Sequence, residues 1–171
     1  MKYFVITDVH SFYEEMIAAL SKAGFDKKNP NHTLVSCGDL FDRGNYPDKC
    51  LEYVLSVPKK RRILIKGNHE TLLDNLLHGK EPSLADVKNG TMKTICKVSE
   101  YDKAIDALKN NTLLQKYYEE LRDYYETEHY IFCHGWIPIA YDEEDENNDT
   151  YYRRASEEKW ENARWVCGFS E

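Results

Sequence analysis

Long apolar runs and an excess of positive charge are both missing from this chain of 171 residues. Although 42% of the residues are apolar, no run reaches the roughly 20 consecutive apolar residues that a membrane-spanning helix needs. The formal net charge of −7 argues against a surface that follows the backbone of a nucleic-acid duplex. We therefore expect a protein that spans no membrane and binds no nucleic-acid duplex, with a chain long enough to bury a substantial core.

Cysteines are few and scattered. The chain has five of them, an odd number, and it contains no Cys-x-x-Cys pair. This pattern favours reduced packing residues over a disulfide or zinc framework. Cys37 and Cys133 close short apolar runs, so we interpret both as small buried residues. The first residues also lack a basic segment followed by an apolar signal core, and we therefore expect a cytoplasmic protein.

Four short apolar runs are each followed by a polar motif. The motifs are Asp-x-His at 8–10, Gly-Asp-x-x-Asp-Arg-Gly at 38–44, Gly-Asn-His-Glu at 67–70 and His-Gly at 134–135. Apolar residues recur at helical spacing between the runs, and this alternation of strands and helices predicts a layered α/β fold. Ligands of α/β folds collect beyond the carboxyl ends of the strands. We therefore expect the four motifs to meet in one crevice.

The side chains of these motifs suit a metal site. They offer oxygen and nitrogen donors, which manganese, iron, zinc and magnesium accept. The candidate ligands are Asp8, His10, Asp39, Asn68 and His134. A carboxylate shared by two such ions can build a dinuclear centre for phosphoryl transfer. Each motif also has a simpler interpretation, such as a turn carboxylate beside a surface histidine, or a helix start with Asn68 as its N-cap. Their joint occurrence favours the metal site.

In their order and spacing, the four motifs resemble those of the calcineurin-like metallophosphoesterases. Asp42-Arg43-Gly44 and Glu70 resemble the phosphoprotein phosphatase branch of that family, which includes small bacterial and phage phosphatases and symmetrical diadenosine tetraphosphate hydrolases. The resemblance covers residues 3 to about 137. It implies one metallophosphoesterase domain over residues 1–171, with a layered β-sandwich flanked by helices.

The resemblance also implies a role for each site residue. Asp8, His10 and Asp39 would hold a first metal ion, and Asp39, Asn68 and His134 a second. Manganese is the first choice for the two divalent ions, and iron, zinc and magnesium are the alternatives. Arg43 would grip phosphate oxygens with its planar guanidinium. His69 would be the general acid, with Asp42 orienting its ring and raising its basicity. Arg164, in an Ala-Arg-Trp segment, is implied as a second phosphate contact, with Arg153 and Arg154 as alternatives.

These roles imply a metal-dependent hydrolase in which a hydroxide bridging the two ions attacks phosphorus in line. Cleavage of phosphomonoesters, as by a serine/threonine phosphoprotein phosphatase, is the first expectation. A dinucleotide polyphosphate hydrolase is the alternative from the same family. A catalytically weak module that binds metal or phosphate is the alternative from another class. The substrate would be a phosphorylated protein, a nucleotide or a small phosphoester.

Residues 70 to about 128 read as almost wholly helical, with breaks at 79–82 and 89–90. We expect this block to form a cap over one side of the crevice and to select the substrate.

The family pattern also contains a later histidine, in a Gly-His motif after one more strand, and no histidine follows His134 here. We therefore expect the last strands to be missing and activity to be impaired. We also expect the first metal site to fill more readily than the second. An exposed sheet edge would favour a homo-oligomer.

Overall fold

A computed structural model gives the fold of residues 1–97, 101–139 and 148–166. Four parallel strands form the main sheet in the order β1–β2–β3–β4, and β5 and β6 form a second, antiparallel sheet. The strands are β1 (Lys2–Ile6), β2 (His32–Cys37), β3 (Arg62–Ile65), β4 (Leu121–Arg122), β5 (Tyr124–Glu126) and β6 (Ile131–Cys133). No helix of the described ranges is long and apolar enough to cross a membrane.

The helices follow the strands and fill the segment between β3 and β4. They are α1 (Tyr13–Lys22), α2 (Pro47–Ser56), α3 (Asn68–Leu77), α4 (Leu84–Asn89), α5 (Thr91–Cys96), α6 (Tyr101–Lys109), α7 (Thr112–Glu120) and α8 (Glu157–Arg164). Two short 3₁₀ helices span Lys59–Arg61 and Asn148–Arg154.

The two central strands of the main sheet, β2 and β3, are buried on both faces. Leu34 and Leu64 point to the helical side, where they share a core with leucines of α2, α3 and α7. Val35 and Ile63 point to the other side, where the aromatic rings of β5 and β6 pack against them. Successive residues of a strand face opposite sides, so the apolar runs of β2 and β3 supply both cores at once. The predicted layered α/β fold is confirmed.

The helical block after β3 is shorter than predicted and is less separate from the sheet. It ends at Glu120, because Leu121 and Arg122 pair with β3, and residues 124–126 pair with β6. The prediction of helix to about residue 128 was therefore wrong at its carboxyl end. Leu73 of α3, Ile95 of α5 and Tyr117 of α7 belong to the same core as the sheet. The block therefore packs as part of the domain core.

The cysteines that we interpreted as packing residues differ from one another in burial. Cys37 is buried as predicted, whereas Cys133 is only partly buried and Cys96 is exposed. Cys167 lies outside the described residues.

Candidate metal centre

The site forms where β1, β2 and β3 end and their loops bind one another. His10 N donates to the Asp39 carbonyl at 2.9 Å, Ser11 N to the Leu40 carbonyl at 2.9 Å, and Gly44 N to the His10 carbonyl at 2.8 Å. These backbone hydrogen bonds fasten the first motif to the second. Because these strands are parallel, their carboxyl ends lie at one edge of the sheet, and the first three motifs meet there as the sequence predicts. The fourth motif follows β6 and reaches the same place through the contact of His134 Nδ1 with the Cys37 carbonyl.

The loops adopt strained backbone conformations. Six non-glycine residues of the described ranges have a positive φ, between 46° and 74°. Five of them lie in the first two motifs, and the sixth, Ser11, directly follows the first motif: Asp8, His10, Ser11, Asp39, Asp42 and Arg43. Residues other than glycine rarely adopt positive φ values. Such strain persists only where the surroundings enforce it, and it concentrates at functional sites.

Glycines let the motifs approach closely. A Cβ atom on Gly38 would lie 2.6 Å from the Gly67 Cα and 2.8 Å from the His134 Nδ1. A Cβ atom on Gly67 would lie 2.2 Å from the Asp39 Oδ1. These glycines therefore do more than permit turns, since any side chain there would displace Asp39 or His134.

Glu70 joins the second and third motifs and is fully buried. Its carboxylate accepts hydrogen bonds from the backbone N of Asp39 at 2.8 Å, of Leu40 at 2.9 Å and of Gly67 at 2.8 Å. Tyr117 of α7 adds a hydroxyl at 3.2 Å. The sequence interpretation used Glu70 as a mark of the family or as a residue in the first turn of a helix, and did not predict its bonds to the Asp39 and Leu40 backbone. Its position three residues after Gly67, at the third residue of α3, is the signal for this role, because an N3 glutamate reaches back to the N-cap backbone.

Asp39 lies at the centre of the candidate ligands. Its carboxylate oxygens are 3.7 Å from His10 Nε2, 3.5 Å from His134 Nε2 and 3.8 Å from His69 Nε2. His10 Nε2 is also 3.9 Å from the carboxylate of Asp8. Each oxygen of this buried carboxylate thus has an imidazole nitrogen nearby.

The histidine rings are oriented as metal ligands are. The Nδ1 of His10 lies 3.0 Å from the Phe41 carbonyl, and that of His134 lies 2.9 Å from the Cys37 carbonyl. A backbone partner on Nδ1 fixes the tautomer and leaves Nε2 free to bind a metal. The Nε2 of His10 is buried and has no hydrogen-bond partner among the described residues, so a divalent cation would satisfy an otherwise orphaned atom.

Asn68 completes this group. Its carboxamide lies 2.9 Å from His134 Nε2. With the nitrogen turned inward, the amide would donate to both Asp39 oxygens at 3.2 Å. With the oxygen turned inward, it would offer one more ligand to a cation. Asn68 is the first residue of α3, and Gly67 occupies the N-cap position, so the alternative of Asn68 as a capping residue was wrong.

Burial sets the protonation preferences of the centre. Burial, followed by the charge of Glu70, raises the pKa of Asp39 to about 6. Burial also lowers the pKa of His10 and so favours the neutral imidazole, the form that binds metals. An ionised Asp39 is therefore costly unless a cation accompanies it. These residues fit divalent metal ions.

A second cluster holds His69 and Asp42 together. His69 Nδ1 lies 2.7 Å from Asp42 Oδ2, and both side chains are almost completely buried. Burial by itself would lower the pKa of His69, but the hydrogen bond to Asp42 and the charges of Asp39 and Asp42 outweigh it, so the pKa is raised. The Nε2 of His69 lies 3.3 Å from Nη2 of the exposed Arg43. A guanidinium and an imidazole of raised basicity therefore lie side by side next to Asp39.

Arg164 makes ion pairs that its predicted role did not include. Its guanidinium is buried and pairs with the carboxylates of Asp123 and Glu157. Both partners would compete with a phosphate, so the contacts do not support a second phosphate contact. Of the alternatives, Arg153 pairs with Glu126. The α8 helix instead supports the His134 loop, because Trp136 N donates to the Ala163 carbonyl at 3.0 Å.

An α/β fold with carboxylate, imidazole and amide donors where its strands end suits a metal-dependent phosphoesterase. Residues 1–167 match the family model described as calcineurin-like phosphoesterase. The chain belongs to this family, and the predicted resemblance is confirmed.

Curated relatives of the chain include bis(5'-nucleosyl)-tetraphosphatases. The asymmetrical enzyme PrpE of Bacillus velezensis is 35% identical over 103 residues, which is 52% of this chain and 41% of the relative. The symmetrical enzyme of Hamiltonella defensa is 32% identical over 118 residues, which is 67% of this chain and 40% of the relative. The chain thus spans about two fifths of the length of these relatives.

Solved structures support the fold. A protein serine/threonine phosphatase from Saccharomyces cerevisiae aligns with a TM-score of 0.55 at 20% identity, covering 80% of this chain and 38% of the other. A cold-active protein-tyrosine phosphatase of a Shewanella species aligns with a TM-score of 0.56 at 19% identity, covering 88% and 48%.

Proposed function

We propose that the protein is a metal-dependent phosphohydrolase and that dinucleoside tetraphosphates are its favoured substrates. The observation that carries the proposal is the position of Asp39 between two imidazoles, beside Arg43 and His69. The names of the curated relatives favour dinucleoside tetraphosphates over other phosphate compounds.

Two divalent ions would be held by the five candidate ligands, Asp8, His10, Asp39, Asn68 and His134. When bound, such ions supply Lewis-acid stabilisation of phosphoryl oxygens and lower the pKa of water. Manganese suits this mixed set of oxygen and nitrogen donors, as iron and zinc also do. The chain as a whole is acidic, with a net charge of −7. The positive charge of the ions would make the site locally less negative, so that an anionic substrate can approach.

Arg43 would bind the non-bridging oxygens of the phosphoryl group. Its side chain is exposed, and a guanidinium matches phosphate oxygens with two parallel hydrogen bonds. His69 would donate a proton from Nε2 to the leaving oxygen as the phosphorus–oxygen bond breaks. Asp42 holds Nδ1 throughout and stabilises the imidazolium before the transfer. Although His69, His10 and Asp39 lie close enough to hold one ion together, the contact with Arg43 favours a position of His69 on the substrate side.

Hydrolysis of phosphomonoesters is the second candidate, and the His69–Asp42 pair favours it. An alkoxide leaving group needs protonation far more than a nucleotide phosphate does, and a histidine of raised basicity supplies it. Phosphoserine peptides and small phosphoesters are the corresponding substrates.

The test is an assay of the purified chain with manganese, comparing diadenosine tetraphosphate, a phosphoserine peptide and para-nitrophenyl phosphate. Cleavage of the tetraphosphate to two ADP, or to ATP and AMP, would support the proposal and identify the bond that is broken. Asp39→Asn should abolish this activity, and Asp48→Asn, a carboxylate on α2, serves as the control. A chain that binds manganese but hydrolyses none of the three would overturn the proposal in favour of a binding module.

A further inference from the structure

Helix α5 reaches the His69–Asp42 pair with two hydroxyl groups. Thr91 Oγ1 donates to Asp42 Oδ2 at 2.7 Å, and Thr94 Oγ1 donates to Asp42 Oδ1 at 2.6 Å. Both threonines are buried, and Asp42 is completely buried. With the Nδ1 of His69, three donors therefore occupy one carboxylate.

The same helix also holds the backbone that carries Asp42. Lys93 Nζ donates to the Arg43 carbonyl at 2.7 Å. Gly90 precedes the helix, and a Cβ atom there would lie 2.7 Å from the Arg43 N. Asp42 and Arg43 have φ of 74° and 57°, so α5 packs directly against a strained turn. Such a turn keeps its conformation only while its neighbours enforce it.

The hydroxyl groups are the chemically specific part of this contact. A carboxylate is an acceptor with about four lone-pair sites, and the two threonines fill sites on both oxygens. With these sites filled, one site on Oδ2 remains, and the Nδ1–H of His69 occupies it. An aliphatic side chain at position 94 would leave Oδ1 without a donor, and the carboxylate would rotate toward its remaining partners. The His69 ring would follow, because its only described partner on Nδ1 is Asp42.

We propose that Thr91 and Thr94 are positioning residues for His69, acting through Asp42. The inference rests on the proposed function, in which His69 protonates the leaving oxygen. Neither threonine touches the candidate metal ligands through a described hydrogen bond, so their effect should be on proton delivery and not on metal binding. The helical block thereby contributes directly to the chemistry, beyond any part in substrate choice.

Matched variants separate the hydroxyl from the shape of the side chain. Thr94→Val and Thr91→Val keep the branched shape and remove the hydroxyl, whereas Thr94→Ser and Thr91→Ser keep the hydroxyl. The exposed Thr112→Val on α7 is the control. Thr94→Ala replaces Thr94→Val if the valine variant does not fold. Each variant is assayed with phenyl phosphate, whose leaving oxygen needs a proton, and with para-nitrophenyl phosphate, whose leaving oxygen needs one much less.

We expect kcat for phenyl phosphate to fall about tenfold or more in the valine variants, as part of the 100-fold or larger contribution of a general acid. For para-nitrophenyl phosphate, kcat should fall clearly less, with KM and bound manganese unchanged. The serine variants should recover most of the activity. Equal losses on the two substrates, or serine variants as impaired as the valine variants, would overturn the inference and assign the threonines to packing.

A spectroscopic measurement separates this inference from the proposed function. Proton NMR of the protein with magnesium or zinc should show a low-field resonance for the His69 Nδ1–H, assigned by its loss in His69→Asn. The resonance should shift in the valine variants and persist near its original position in the serine variants. If the wild-type chain hydrolyses nothing, the proposed function fails, while this shift still decides the role of the threonines. A resonance that is absent from the wild type or unmoved in the valine variants would refute it.

Discussion

Replacement of Asp39 by asparagine should stabilise the metal-free protein while removing its response to metal. Burial raises the pKa of Asp39 to about 6 from an ordinary value of 3.8. At pH 7 the ionised side chain therefore costs up to about 3 kcal/mol of folding free energy, at about 1.4 kcal/mol per pKa unit. Asparagine has nearly the same shape, carries no charge and can still accept the hydrogen bond from His69 N.

Urea unfolding at pH 7 with a chelator measures the first effect, and the same experiment with excess manganese measures the second. Wild-type protein should gain stability with manganese, because an ion that binds only the folded state shifts the unfolding equilibrium. The Asp39→Asn variant should begin with the higher midpoint and should gain little. The pH dependence has a definite sign. Because the folded-state pKa lies above the unfolded value, this residue makes metal-free stability fall as pH rises from about 4 to about 6.

Asp8→Asn is the matched control for this prediction. Asp8 is also a candidate ligand, but more than half of its side chain is exposed, so water already solvates its charge. We expect this variant to lose metal affinity without gaining metal-free stability. An Asp39→Asn protein that is less stable without metal, or that still gains stability with manganese, would refute the reasoning about a buried shared ligand.

Three further variants test other parts of the structure. His69→Asn should retain manganese by elemental analysis while kcat falls about a hundredfold or more, and loss of metal would instead make His69 a ligand. Arg43→Ala should weaken inhibition by inorganic phosphate with an unchanged circular dichroism spectrum, and unchanged inhibition would remove Arg43 from substrate binding. Arg62→Ala should cost about 3–5 kcal/mol in urea unfolding, because Arg62 makes a buried two-bond contact with Glu120 at 2.6 and 2.7 Å. A loss below about 1 kcal/mol, typical of surface pairs, would contradict that account.

Local sequence was enough to predict the layered α/β fold and the meeting of the first three motifs. Each of these motifs directly follows an apolar run, and parallel strands bring their carboxyl ends to one edge without any knowledge of side-chain contacts. The fourth motif follows β6 of the antiparallel sheet, so this argument does not account for its position. The segment after Glu120 was harder, because Leu121 continues the helical spacing of α7 while its backbone pairs with Leu64. The ion pairs of Arg164 were also beyond the sequence, because its motif does not reveal that Asp123 lies against it.

The contacts of the two α5 threonines with Asp42 could not be predicted from local sequence patterns. Thr91 and Thr94 lie 49 and 52 residues from Asp42 along the chain, and a threonine on a short helix has no distinctive spacing. Glu70 differs from them, because its bond to Gly67 is local and recognisable. Long-range contacts to a single carboxylate become visible only when the fold brings the two segments together.

The strained backbone of the site loops must be held in place by other parts of the chain. This explains why many residues surround the few reactive atoms. All six non-glycine residues of positive φ in the described ranges lie in the first two motifs or directly after the first one, and each such conformation costs of the order of 1–3 kcal/mol. Glu70 holds the backbone of Asp39, and α5 holds the backbone of Arg43 and the side chain of Asp42. These two supports come from the helical block, which shares its core with the sheet. The block can therefore enforce the strained loops only while it stays packed, so a variant that loosens α5 should disturb Arg43 and His69 before it unfolds the domain.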